Sequence, residues 1–295
     1  MTESSVETYL ERAAAALAAA GIDGARREAR LLLAHCLGEP TERLIAYPER
    51  LIETPAGFEA AVTRRAARVP IAQILGRREF WGLSFAVTED TLDPRPDSET
   101  LIEAALERIA DRTAPMTIAD LGTGTGCLLL SLLSELPAAR GIGVDRSVRA
   151  LEVFQRNAQE LGMPDRVLAV QADWCDALDG PFDVVISNPP YIETDALDRL
   201  SPEVARREPR LALDGGADGL RAYRRLAGAL AGLLRPTGFA VLELGAEQAP
   251  DVSSECVKRD LTVAGYRSDL ASRIRCLIVT GNGPEEQKKH LENSG

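Results

Sequence analysis

Histidine is nearly absent from this chain: His35 and His290 are its only two. His35 falls inside a helical pattern and His290 in a polar tail, so a Ser-His or Cys-His hydrolase lacks a base. Cysteine is sparse as well. The five residues (Cys36, Cys127, Cys175, Cys256 and Cys276) are scattered, and no pair has C-x-x-C spacing. They read as small buried apolar side chains, so neither a disulfide framework nor a metal centre is expected. No apolar run approaches the roughly 18 residues of a membrane span. The alanine-rich stretch Ala13 to Ala20 follows Glu3, Glu7, Glu11 and Arg12. A secretory signal needs a basic start and an uncharged apolar stretch, so a cytoplasmic location is expected. Positive charge is also short: 34 Lys and Arg stand against 45 Asp and Glu, for a net charge of −11. That balance repels phosphate backbones at long range and makes nucleic acid a poor default partner, although a local basic groove is compatible with it.

What is present is a soluble globular composition, 45% hydrophobic over 295 residues, long enough for two cores. The first segment reads as short helices. Ser4 and Glu7 have capping-box spacing ahead of Val6, Leu10, Ala13 and Leu17, and Gly21 stops that helix. Asp23 is placed to cap a second helix ending at Gly38, Thr41 to Tyr47 form a short third, and Thr54-Pro55 opens a fourth. Between Pro70 and Pro96 the run Phe80-Trp81-Gly82-Leu83-Ser84-Phe85-Ala86-Val87 predicts a hairpin turning at Gly82. Its aromatics are expected to plug a domain junction. From Asp97 onward helix and strand alternate. Strands are expected at Thr117 to Leu121, Gly141 to Asp145, Val167 to Gln171, Asp183 to Ser187, Phe239 to Leu244 and Ile274 to Thr280. Such alternation implies a parallel sheet covered by helices on both faces. The tail from Pro284 is polar and is expected to be disordered.

Four motifs carry chemistry. Ile118-Ala119-Asp120-Leu121 runs into Gly122-Thr123-Gly124-Thr125-Gly126, a strand, a glycine turn and then a helix from Leu128. Alternate glycines allow a sharp turn and bring bare backbone close to a bound molecule. The G-x-G-x-G spacing differs from the dinucleotide fingerprint, and no phosphate-loop lysine follows. Asp145, nineteen residues beyond Gly126, ends the second strand, where a carboxylate can accept both hydroxyl hydrogens of a ribose. It can equally cap the helix near Ser147. After the third strand, Asp173-Trp174 could hydrogen-bond and stack on an adenine, or Trp174 could be ordinary core. The fourth motif is Asn188-Pro189-Pro190-Tyr191 at the end of the fourth strand. Two prolines donate no backbone hydrogen bonds, so the turn presents acceptors only. The Asn188 side-chain oxygen and the Pro189 carbonyl can both accept from one planar NH2 group, with Tyr191 offering an aromatic face.

With a G-x-G-x-G loop after strand one, this turn resembles the class I S-adenosylmethionine-dependent methyltransferases that act on planar amino or amide nitrogen. Pro70-Ile71-Ala72-Gln73-Ile74-Leu75-Gly76, Glu79-Phe80-Trp81-Gly82-Leu83, Pro94-Arg95-Pro96-Asp97-Ser98-Glu99 and Glu208-Pro209-Arg210-Leu211-Ala212-Leu213-Asp214-Gly215-Gly216 narrow it. They are similar to the release factor glutamine methyltransferase family, HemK/PrmC. The resemblance runs from about Pro70 to Leu244. It implies a Rossmann-like doubly wound α/β sheet (95–283), a small N-terminal helical bundle that chooses the substrate (1–72), a joining β-hairpin (73–94) and a free tail (284–295). It also implies methyl transfer to the amide nitrogen of the glutamine in the Gly-Gly-Gln loop of peptide chain release factors, leaving S-adenosylhomocysteine. Gly122, Thr123, Gly124, Thr125, Gly126, Asp145, Trp174 and Asn188 would hold the cofactor, and Asn188, Pro189, Pro190 and Tyr191 the glutamine, with Asn188 and Pro189 gripping its nitrogen. Adenine-N6 methylation of DNA or RNA, or glutamine methylation of another protein, fits the turn as well. A monomer that meets its protein partner transiently is the simplest expectation. Asp93 departs from the family's apolar residue and Ser98 from its common Thr, and Asp93 puts an unexplained charge near the domain junction.

Overall fold

The computed structural model describes residues 3–281; the tail from Pro284 and His290 lie outside the described residues. The described residues form two compact units, 3–77 with Ser201–Arg207, and Arg78–Leu200 with 208–281.

In the first unit, helices Val6–Ala19, Ala25–Leu37, Thr41–Ala46, Phe58–Ala66 and Ile71–Leu75 enclose Val6, Leu10, Leu17, Leu32, Leu33 and Phe58. Three of its helix starts differ from expectation. Ser5, not Ser4, is the first N-cap, accepting from the Thr8 N–H at 3.2 Å; Ser4 is taken up in a short antiparallel ladder with Ile52. The second helix starts after Gly24 in a left-handed conformation, with no side-chain cap from Asp23. The fourth starts at Phe58 after Gly57, because the Thr54 hydroxyl is bound 2.8 Å from the Tyr9 hydroxyl instead of capping. Inside this unit Arg65 is buried between Glu28, to which it hydrogen-bonds, and Glu203, 2.9 Å away on the helix Pro202–Arg207. Arg68 holds the same Glu203 at 2.9 Å. A buried guanidinium between two carboxylates ties the distant segment 201–207 to the helices.

The second unit is built on a seven-stranded sheet. Its strands are β1 (Thr117–Leu121), β2 (Arg140–Asp145), β3 (Val167–Gln171), β4 (Phe182–Ser187), β5 (Leu234–Glu243), β6 (Leu261–Ser268) and β7 (Ile274–Gly281). They lie in the order β6-β7-β5-β4-β1-β2-β3. The first five are parallel, and β7 runs antiparallel to both β5 and β6. The strand order reverses between β1 and β4, which opens a crevice at their carboxyl ends, where doubly wound sheets bind ligands. Strand β6 and the helix Ala249–Val257 were not among the expected elements. Gly265 breaks the alternation of β6, and its register against β7 shifts there, so neither sequence period is clean.

The hairpin pairs Arg77–Phe80 with Leu83–Ala86 and turns at Trp81-Gly82. Phe80 and Phe85 are buried in the core of the second unit with Leu101, Leu129 and Phe154, and the Trp81 indole donates to Glu135 at 2.9 Å. Asn157, wholly buried on helix Val148–Glu160, fixes the hairpin in place. Its oxygen accepts from the Ala86 N–H at 2.7 Å, and its amide donates to the Ala86 and Thr125 carbonyls at 3.2 and 2.9 Å. One side chain thereby joins the hairpin to the glycine loop.

Candidate active site

The carboxyl ends of β1, β2 and β4 border a cavity of about 1060 Å³ lined by residues of the second unit. On one side the glycine loop turns back on β2: the Gly122 and Thr123 N–H groups both donate to the Val144 carbonyl at 2.9 Å. Gly126 starts the helix Cys127–Glu135 at φ 80°, and a Cβ there would fall 2.2 Å from the Phe154 ring. Only glycine meets both demands. Asp145, half-buried at the tip of β2, braces the loop. One oxygen accepts the Gly124 N–H at 3.0 Å and the other the Ser147 N–H at 2.9 Å. Each oxygen retains a lone pair for a further donor. Burial pushes its pKa up, opposed by those N–H bonds. Trp174 adopts a left-handed φ of 59°, a rare conformation for a bulky residue, and its ring lies against Gly122.

Beneath the loop is an acid that the motif reading passed over. Asp120 is buried in β1. One oxygen accepts from the Thr123 hydroxyl at 2.7 Å and the other has no protein partner. Burial pushes its pKa up to about 7, against the pull of Thr123.

On the other side stands the proline turn. The Ser187 hydroxyl donates to the Leu121 carbonyl at 2.5 Å, locking the tip of β4 to that of β1. Asn188 follows, half-buried on the cavity wall. Its amide donates to Ser98 Oγ at 3.3 Å, and its oxygen takes no donor from the described residues. Pro190 also lines the cavity, whereas Gly126, Pro189 and Tyr191 do not. Tyr191 lies behind the turn. Its carbonyl accepts from Gln248 at 3.1 Å, and its hydroxyl donates to buried Glu243 at 3.5 Å. Burial raises the Tyr191 phenol to about 12, so it stays protonated. The other predicted residues, Gly122, Thr123, Gly124, Thr125, Asp145 and Trp174, all line the same cavity.

A third wall comes from Pro94, Arg95 and the segment Pro209–Ala212. Arg95 grips buried Glu208 with two bonds of 2.8 and 2.7 Å. The unexplained Asp93 belongs to this arrangement. Buried, it lies 3.9 Å from Arg95 and 3.7 Å from Arg78, and its charge is balanced by two guanidinium groups. Burial pushes the Asp93 carboxyl upward, and the two arginines pull it back. Among the described residues no group of three or more His, Cys, Asp or Glu is arranged to hold a metal ion.

A doubly wound sheet in this order, with a glycine loop after β1 and Asn-Pro-Pro-Tyr after β4, is the fold of the class I methyltransferases, and the chain is an enzyme of that class. Residues 8–76 match the PrmC N-terminal domain and residues 92–207 the methyltransferase small domain. The release factor glutamine methyltransferase of Cereibacter sphaeroides is 47% identical over 90% of this chain and 95% of its own length. The protein of that name from Rhodospirillum rubrum is 44% identical over 92% and 83%. The chain belongs to the release factor glutamine methyltransferase family. Two solved structures share the fold alone. The catalytic domain of hMettl16, in complex with MAT2A 3'UTR hairpin 6, superposes with a TM-score of 0.56 at 16% identity, covering 80% of this chain and 86% of that one. A methyltransferase from Pyrococcus furiosus gives 0.50 at 16% identity, covering 75% and 96%. Among the described residues no helix is long and apolar enough to cross a membrane.

Proposed function

We propose that this chain transfers a methyl group from S-adenosylmethionine to the side-chain nitrogen of the glutamine in the Gly-Gly-Gln loop of peptide chain release factors. The observation that carries this reading is a single cavity bordered by the glycine loop, Asp145 and an Asn188 oxygen left without a protein donor. The residues present fit the methyl donor: the loop offers bare backbone, Asp145 keeps lone pairs for a ribose, and Trp174 offers a flat face on the same cavity. Bound there, that cofactor supplies a sulfonium-activated methyl group.

An amide nitrogen is a weak nucleophile, its lone pair being delocalised into the carbonyl. The protein's task is therefore alignment for in-line displacement. Asn188 Oδ1 accepts one NH2 hydrogen from the cavity wall, and the Pro189 carbonyl, which lies off that wall in the free chain, accepts the other as the substrate seats; together they fix the nitrogen and stabilise positive charge as it develops. Pro190 walls the group in, and Tyr191 holds the turn from behind through Gln248 and Glu243. No neighbouring base is required, because the alkylated amide sheds its proton readily. The helical unit carrying Arg65, Glu28 and Glu203 selects the protein partner, and the enzyme works as a monomer in the cytoplasm.

The test supplies labelled cofactor with a release factor, with its Gly-Gly-Ala loop variant, and with bulk nucleic acid. Label confined to the loop glutamine supports the reading. Label in the alanine variant, or in nucleic acid alone, refutes it.

A further inference from the structure

Behind Asn188 lies a chain of three polar groups that the motif itself does not contain. Glu243 ends β5 one residue past Leu242, which pairs with Ser187 on β4, so its carboxylate sits beside the proline turn. It is 1% exposed, and Ser98, closing the turn before helix Glu99–Arg108, is 2% exposed. Ser98 Oγ donates to Glu243 Oε2 at 2.5 Å, and Asn188 Nδ2 donates to Ser98 Oγ at 3.3 Å.

These three groups can be ordered in one direction only while Glu243 is ionised. A carboxylate has no hydrogen to give, and serine has a single O–H. That hydrogen goes to Glu243, so Ser98 turns a lone pair toward Asn188. The end of the asparagine amide facing Ser98 must then be its NH2, and Oδ1 is the end left for the cavity. The network, not the shape of the amide, decides which end is presented. We infer that Ser98 and Glu243 are positioning residues whose hydrogen-bond direction turns the Asn188 oxygen toward the substrate nitrogen. This inference rests on the proposed use of Asn188 Oδ1 as an acceptor.

Protonated Glu243 reverses the order. It can donate to Ser98, whose own hydrogen is then free to bind Asn188 Oδ1; Asn188 would turn its NH2 to the cavity, where it meets a substrate NH2 donor to donor. Burial raises Glu243 to about 7, Ser98 and Arg275 pull it down, and Asp97 pushes it up. The titratable groups around it are Tyr191, whose hydroxyl donates to it, Tyr223, whose hydroxyl donates to its backbone carbonyl at 2.7 Å, and Arg275, held by Asp97 and Asp269 at 2.9 and 3.0 Å. Cys127 and Cys276, raised to about 12, stay neutral near it. Glu243 is therefore the member of this group that changes charge near neutrality.

The experiment compares the full chain with its Ser98→Ala, Ser98→Thr and Glu243→Gln variants. It reads kcat on a release factor from pH 6 to 8, S-adenosylhomocysteine affinity, and the nitrogen-15 signal of the Asn188 side-chain amide without substrate. Ser98→Ala is expected to lower kcat by about tenfold or more with cofactor affinity within about twofold, since one oriented acceptor is at stake. Ser98→Thr, which keeps the hydroxyl, is expected to recover most of that loss. Wild-type kcat should rise about tenfold between pH 6 and 8 as a group of pKa near 7 ionises. The Asn188 amide signal should titrate with it, and both responses should vanish in Glu243→Gln. A folded Ser98→Ala chain with wild-type kcat, or an Asn188 signal that titrates unchanged in Glu243→Gln, overturns the inference. If the wild type itself does not methylate the release factor, the proposed function fails, and the amide titration still decides the relay.

Discussion

The two strand tips that border the cavity lie side by side and are built from opposite kinds of residue. At β1 the chain runs through Gly122, Gly124 and Gly126, all at positive φ, and Asp145 braces the bare backbone through the Gly124 N–H. At β4 the chain runs through Pro189 and Pro190, which have no N–H, and the free polar atom is an oxygen of Asn188. At the glycine tip the N–H groups of Gly122, Thr123, Gly124 and Gly126 are taken up by Val144, Asp145 and Thr123, so what it offers is close approach to bare backbone; the prolines of the other tip can only accept. Two neighbouring strands of one sheet thus offer a cofactor-like surface and an NH2-binding surface within one cavity.

The sharpest way to break this contrast is to remove the acceptor. Asn188→Ala is expected to lower single-turnover methylation about a hundredfold or more, by analogy with the loss of one preorganised donor at an oxyanion, with S-adenosylhomocysteine affinity little changed. A near-normal rate would mean that the proline tip does not hold the nitrogen. The glycine tip is tested by Gly126→Ala, where a positive φ of 80° and a contact of 2.2 Å to Phe154 act together. The expected loss is about 2–4 kcal/mol of unfolding free energy, read by urea denaturation. Asp145→Ala is expected to weaken S-adenosylhomocysteine binding about 10- to 100-fold, the range for hydrogen bonds to a charged group, by titration calorimetry.

The acid beneath the glycine tip gives a pH signature. Asp120 has a folded-state pKa of about 7 against an ordinary 3.8, so between those values the folded chain holds a proton that the unfolded chain has released. The stability contributed by Asp120 is then fully present below about pH 4, is lost as pH rises toward 7, and levels off above it. Asp120→Asn should make stability fall less steeply between about pH 4 and 7 than in the wild type, read by thermal melts of the two chains side by side; Glu243 shifts the same way and stays in both. An unchanged slope would show that Asp120 is ionised throughout. The smallest effect is expected at Asp93→Leu, within about 1 kcal/mol, because Arg95 keeps its two-bond contact with Glu208 and the exchange removes a buried charge. A large loss would make Asp93 a structural requirement of the third wall.

The parts of this site that could be read from the sequence are those in which neighbouring residues carry the chemistry. Gly122 to Gly126 follow a strand, and Asn188 to Tyr191 are four consecutive residues, so each pattern holds its own geometry. The supporting groups are dispersed along the chain. Ser98 and Glu243 meet across 145 residues and Arg95 and Glu208 across 113; neither pair has a spacing signal. Asn157 had a faint one, a lone amide on the apolar helix face of Leu151, Phe154 and Ala158. Tyr191 illustrates the limit differently: its place after the prolines was plain, but its turn toward Gln248 and Glu243 depends on β5. In the fold, the five parallel strands were legible from apolar runs ending in turn residues, whereas β6, an edge strand interrupted at Gly265, was not. Helix starts failed where a nearby partner took the expected cap, as Tyr9 took Thr54.

The most direct measurement is a crystal structure of the chain with S-adenosylhomocysteine and a Gly-Gly-Gln peptide. The glutamine nitrogen should lie within hydrogen-bond distance of Asn188 Oδ1 and the Pro189 carbonyl, with the cofactor sulfur facing it from the Gly122–Gly126 side. A cofactor bound away from that loop, or an Asn188 amide presenting its NH2 to the peptide, would contradict the opposed-tip arrangement.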